Sequence, residues 1–160
     1  MLASELRLHD VSVLVVEKDA EPSDLIRSLG LHPRSIEILD QRGLLDRFLE
    51  HGQKYPGNTR RFAGIDKPLP AADDSAHDYA LDIRQPVTDR LLAKRAVELG
   101  AEIRRGHELT GFEQHDDGVT IDLADGTRLR SRWLVGCDGG RGPVRRMLGI
   151  GFPGEPAQTE

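Results

Sequence analysis

The stretch VSVLVVE at residues 11–17 constrains the fold more than any other part of the chain. Val11, Val13 and Val15 alternate with Ser12, Leu14 and Val16, so an extended segment here carries apolar side chains on both faces. A strand buried on both faces belongs to a parallel sheet covered by helices. Residues 2–10 before it read as a helix with Leu2, Leu6 and Ala3 on one face, which starts with no N-cap residue and no preceding strand. Pro22 breaks the loop that follows the strand.

Further along, Ile36 and Leu39, then Leu44 and Phe48, support two helical stretches interrupted near Gly43. Residues 55–78 are rich in Pro, Gly and Asp and read as loop, with one strand at 61–65. Residues 79–83 form a short strand. Pro86 opens a helix whose apolar side is Val87, Leu91, Leu92, Val97 and Leu99, and Gly100 ends it. The period then drops to two. Residues 101–104, 108–114, 119–123, 128–130 and 133–135 read as strands, with Asp117-Gly118 and Asp125-Gly126 as hairpin signals between them. A helix over 141–148 closes the pattern. The expected class is α/β, with an antiparallel sheet inserted into a parallel frame.

Charge and composition remove several function classes. The chain has 22 Lys and Arg against 27 Asp and Glu, a formal net charge of -5, which argues against nucleic acid as the main partner. No run of about 18 apolar residues is present, so no membrane-spanning helix is expected. The N-terminus lacks the apolar core and cleavage site of a signal peptide. Cys137 is the one cysteine and cannot form an internal disulfide, which fits a cytoplasmic protein. The 6 His residues show no metal-binding spacing, so no metal is expected. Asp73-Asp74 and Asp116-Asp117 read as solvated loops, and Cys137 as a small buried residue at a strand end.

Two constellations point to a ligand. Glu17 ends the apolar strand, where the second strand of a Rossmann unit carries the carboxylate that accepts hydrogen bonds from both hydroxyls of an adenosine ribose. An ordinary strand-end glutamate is the other reading. No G-x-G-x-x-G turn precedes it, because Met1 already lies in the helix, so the chain reads as a fragment without its first strand and glycine loop. The second constellation is RWLVGCDGGRGPVRR, residues 132–146, an apolar run entering Asp138-Gly139-Gly140 with Arg141, Arg145 and Arg146 close behind. Glycines there allow close approach to a ligand. A helix-start loop with solvated arginines is the alternative.

Four segments together resemble the FAD-dependent aromatic hydroxylases, the group A flavoprotein monooxygenases, and within them the actinobacterial branch that acts on polyketides and rifampicin. They are ASELRLHDVSVLVVEKDAEP, RSLGLHPRSIEILDQRGLLDRF, RQPVTDRLLAKRAVELGAEIRRG and LADGTRLRSRWLVGCDGGRGPVRRMLGI. The resemblance implies a Rossmann-like FAD-binding domain fragment with an inserted antiparallel sheet. It implies FAD as cofactor, NAD(P)H as co-substrate and a small aromatic or polyketide substrate. Residue by residue, it implies Glu17 on the adenosine ribose, Arg34 by the pyrophosphate with Arg27 nearby, and Gln85 on the flavin side. Asp138 and Gly139 match the Asp-Gly motif, which Arg145 terminates. Where that motif usually has Ser this chain has Gly142, followed by Pro143, so a local helix cap is lost. The family's later Gly-Asp motif lies beyond residue 160, and on this reading the isolated chain binds FAD weakly and is inactive alone. No residue here is assigned a catalytic acid or base role. Two other functions fit the same residues: a non-catalytic nucleotide- or partner-binding product, and a related FAD or NAD(P) oxidoreductase without oxygen transfer. Gln85 within RQPVTDR favours the hydroxylase.

Overall fold

A computed structural model describes residues 1–56, 61–62, 65–66 and 75–155. In chain order its elements are α1 (Leu2–Leu8), β1 (Leu14–Glu17), β2 (Gly30–Leu31), α2 (Pro33–Gln41), α3 (Leu45–Leu49), β3 (Gln53–Pro56), β4 (Arg61–Phe62) and β5 (Ile65–Asp66). They continue with β6 (Tyr79–Asp82), α4 (Gln85–Glu98), β7 (Glu102–Arg105), β8 (Leu109–His115), β9 (Gly118–Leu123), β10 (Arg128–Ser131) and α5 (Pro143–Met147). The strand expected over 61–65 is two short strands, β4 and β5, paired antiparallel; residues 63–64 and most of the expected loop lie outside the described residues.

β1 pairs with β7. The Glu102 N–H donates to the Val13 carbonyl at 3.0 Å and the His107 N–H to the Glu17 carbonyl at 2.9 Å. Partner numbers rise together, so the two strands run parallel, as the apolar pattern required. The expected burial on both faces is not reached. Val11 is exposed, residues 11–13 lie outside the strand, and all of β1 is half-buried. The reason is that β7 is β1's one strand neighbour among the described residues.

The chain divides into two units, residues 1–15 with 22–102, and residues 16–21 with 103–160. The first has its core where α2, α3 and α4 meet β6. Ile36, Phe48 and Leu81 are fully buried there, with Leu39, Leu44 and Ile83 around them. Ile36 and Leu39 lie one turn apart on the inner face of α2, which Pro33 opens without losing a hydrogen bond. Gly43, at φ +63°, makes the turn into α3 that the sequence marked. On α4 the buried residues are Leu91 and Ala96, whereas Val97 is exposed, contrary to expectation. Residues 92 and 96 share a stripe one turn apart, and Val97 lies about 100° further round. α1 also departs from its reading: it buries Ser4 and exposes Leu2. β6 is the centre of a sheet ordered β2-β6-β3. Neither flanking strand was expected, because β2 is two residues long and QKYP of β3 is exposed throughout, leaving no alternation to read.

The second unit is built on the meander β10-β9-β8. Val119, Ile121 and Leu123 of β9 point one way at period two and form its core with Phe112, Leu129 and Leu134. His115 pairs directly with Gly118, so the hairpin turn is Asp116-Asp117 rather than Asp117-Gly118. Gly118 lies in the strand, paired with His115, and glycine is required there because a Cβ would run into the Ser131 carbonyl oxygen. Residues 133–135 are not a strand. No described strand offers them a ladder, and Trp133 is 76% exposed. Cys137 is exposed rather than buried for the same reason.

Candidate functional site

The site residues read from the sequence are divided between the two units. In the second, Glu17 stands at the C-terminal end of β1, the end of a parallel sheet at which α/β folds place ligands. Its Oε1 accepts from the Asp19 N–H at 3.1 Å, which orients the carboxylate at the start of the loop. The run 136–142 then forms a glycine turn. Gly139, at φ +75°, is left-handed, with no atom of the described residues within 4 Å of where a Cβ would sit. Its carbonyl accepts from the Gly142 N–H at 3.0 Å, which closes the turn. The Asp138 carboxylate folds forward and its Oδ2 accepts from the Val144 N–H, in the first turn of α5, at 2.9 Å. Gly136 allows Val144 to pack closely: a Cβ at position 136 would lie 3.0 Å from the Val144 side chain.

Arg145 braces this turn. It donates from Nη1 to the Ile150 carbonyl at 2.6 Å and from Nη2 to the Gly140 carbonyl at 3.2 Å. Its guanidinium also lies 5.0 Å from the centre of the Phe152 ring. Its hydrogen bonds go to its own backbone, tying the glycine turn to the chain that leaves α5.

In the first unit the structure brings Arg27 and Gln85 together. Gln85 begins α4, and its Oε1 accepts from the Arg27 N–H at 3.1 Å. The contact continues the β2–β6 pairing, since the Ile83 N–H donates to Leu29 and the Gln85 N–H to Ser28. A side-chain amide thus takes the place of a backbone carbonyl and anchors the end of the 22–29 loop. Arg34 does not join them. It lies in the first turn of α2 with its side chain 78% exposed, and Nη1 donates to Glu37 at 3.0 Å.

Arg34 borders an open groove of about 330 Å³, lined by Arg34, Glu37, Asp40, Gln41, Ala76 and His77. The Ser75 hydroxyl, then Arg34, holds the Glu37 carboxyl below the usual glutamate range. His77 Nε2 lies 2.8 Å from Asp40 Oδ2, and its ring meets Tyr79 edge-on at 5.7 Å. The ammonium of Lys54 sits 4.4 Å from the centre of the same tyrosine ring. Glu37, Asp40 and His77 were not singled out from the sequence. The i,i+3 spacing of Arg34 and Glu37 was a usable signal; the arrival of His77 from far along the chain was not.

Each unit on its own thus presents groups able to meet a polar ligand: in the second a strand-end carboxylate, Glu17, and an open left-handed glycine, Gly139, and in the first the exposed guanidinium of Arg34. Among the described residues no cluster of His, Cys, Asp and Glu could hold a metal ion, and no helix is long and apolar enough to cross a membrane.

The chain belongs to the FAD binding domain family, which matches residues 1–160. It is 56% identical over 160 residues to a rifampicin monooxygenase of Streptomyces venezuelae, covering 100% of this chain and 33% of that protein. Among solved structures it is similar to an anhydrotetracycline hydroxylase from Streptomyces rimosus, with 45% identity and a TM-score of 0.89 over 97% of this chain and 32% of the other. It is also 34% identical to a dialkyldecalin synthase of Streptomyces rugosporus, over 96% of this chain and 33% of that one. The chain thus spans about a third of the length of the curated relatives it matches.

Proposed function

We propose that this chain is the FAD-binding part of a cytoplasmic, NAD(P)H-consuming monooxygenase that hydroxylates an aromatic or polyketide-type substrate. The observation that carries the reading is the carboxylate of Glu17 at the C-terminal end of a parallel strand, in a chain 56% identical along its whole length to a rifampicin monooxygenase. Glu17 holds the adenosine ribose, because one carboxylate can accept from two hydroxyls at once. Arg34 lies by the pyrophosphate, where a planar guanidinium can bond two phosphate oxygens. Arg27 lies near the pyrophosphate as well, and Gln85, which holds the Arg27 N–H, lies on the flavin side. Asp138, Gly139 and Arg145 hold the second glycine turn against the cofactor. When bound, FAD supplies the electron and oxygen transfer; the protein orients it and keeps water out. The dialkyldecalin synthase shows that relatives of this domain carry other activities, so the choice of hydroxylation rests on the higher identity to the rifampicin and tetracycline enzymes.

The test is a titration with FAD followed by flavin fluorescence, on the enzyme that carries this sequence and on its Glu17→Gln variant. Saturable binding that the substitution weakens about tenfold is expected, from loss of charged hydrogen bonds. No saturable binding in either would overturn the reading. In the enzyme that carries this sequence, NAD(P)H oxidation with oxygen uptake separates the monooxygenase from a non-catalytic binding product.

A further inference from the structure

We infer that Gly142 is a positioning residue: the absence of a side chain there lets the Asp138 carboxylate cap α5, so that Asp138 serves the cofactor turn by fixing it rather than by its charge. The inference deepens the flavin reading above and rests on it for its FAD readout, while its amide-exchange readout is independent of it.

Gly142 is the N-cap of α5 and is buried. An N-cap residue ordinarily accepts from the next N–H groups with its own side-chain oxygen, which glycine cannot do. The Val144 N–H is nevertheless met, by Asp138 Oδ2 at 2.9 Å. The acceptor therefore comes from four residues before the cap position, across the glycine turn. The three atoms nearest a Cβ built at Gly142 are Cγ, Oδ1 and Oδ2 of Asp138, all in overlap with it. The backbone at Gly142, φ -58° and ψ 141°, is open to any residue type. What excludes a side chain is thus the Asp138 carboxyl group itself. One space holds either a side chain at 142 or the carboxylate of 138. While the carboxylate holds it, Asp138, Gly139 and α5 are tied into one piece, with the Gly142 N–H to Gly139 bond and the Arg145 brace on the other side.

The test is a double-mutant cycle with two readouts, amide exchange at Val144 and the dissociation constant for FAD. Asp138→Ala speeds exchange at Val144 about fivefold, the usual effect of losing a cap. Asp138→Asn keeps an acceptor oxygen and leaves exchange at the wild-type rate within about twofold, since Asn and Asp cap equally well. Gly142→Ser evicts the carboxylate and supplies its own hydroxyl, so Asp138→Ala in that background changes neither exchange nor FAD affinity by more than about twofold. Two results overturn the inference: Asp138→Asn matching Asp138→Ala in exchange, or Asp138→Ala weakening FAD equally in both backgrounds. The Asn-against-Ala comparison decides the matter even if Gly142→Ser does not fold. If no variant binds FAD, the flavin reading fails while the exchange comparison still stands.

Discussion

At the scale of single residues, burial and hydrogen-bond accounting lead to two expectations. Ser4 is 3% exposed, inside α1, and its hydroxyl has no partner among the described residues. Ser4→Ala removes an unmet polar group and adds helix propensity, so the protein should gain about 1 kcal/mol, or about 2–4 °C in Tm, by thermal denaturation. A lowered Tm would mean that the hydroxyl is paired in solution. Gln85→Ala leaves the Arg27 N–H without its acceptor and should cost about 1 kcal/mol, with faster exchange at the Arg27 amide but not at Leu91. The positions of Glu17 at a strand end and of Gln85 at a helix start were legible, the first from the apolar run that stops there and the second from Pro86, whereas a role for Gln85 came only from the resemblance to the hydroxylases. The self-directed use of Arg145 was not. Which carbonyls a guanidinium reaches depends on the path of residues 148–152, and no local pattern encodes that path.

At the scale of elements, what could be read was what local periodicity dictates. The meander, the two short helices around Gly43 and the end of α4 at Gly100 all follow from spacing and glycine placement. The strands β2 and β3 and the unpaired state of residues 133–135 depend on having or lacking a neighbour, which no single segment records. The end of α4 carries a device from another element. Arg7 donates from Nε to the Leu99 carbonyl and from Nη1 to Val11, each at 2.9 Å, so α1 holds the C-terminus of α4. Arg7→Ala should fray the last turn of α4, with faster exchange at Leu99 and Gly100 while β9 amides stay unchanged. In the meander, Gly118→Ala should cost about 1–3 kcal/mol, because the added methyl meets a backbone oxygen that cannot swing away. A neutral result in denaturant unfolding would show that β9 and β10 separate locally to admit it.

At the scale of the whole molecule, several carboxylates share one direction of shift. Arg42 holds Glu5 below the ordinary value of 4.5, Arg47 does the same for Glu98, and Arg128 holds Asp122 below the ordinary 3.8. A carboxyl with a lowered folded-state pKa binds fewer protons folded than unfolded. Its contribution is therefore complete above the ordinary carboxylate values and is lost as pH falls through the lowered ones. Tm should stay level from neutral pH down to about pH 5 and fall below about pH 4.5. Glu5→Gln should make that fall shallower, since Arg42 then loses the partner that titrates. Solvent exposure and salt reduce the effect, so the slope should also flatten in high salt.

The exposed Trp133 also makes the chain its own optical reporter. It is the sole tryptophan, 76% exposed, with the Arg132 guanidinium 5.9 Å from its ring and the glycine turn beginning a few residues later. Its emission comes from one place, the approach to Cys137 and Asp138. Anything that covers that approach moves the indole out of water and shifts the emission to the blue, and a bound flavin quenches it by taking up its excitation energy. Binding at the turn can therefore be followed in the native sequence, with no label attached.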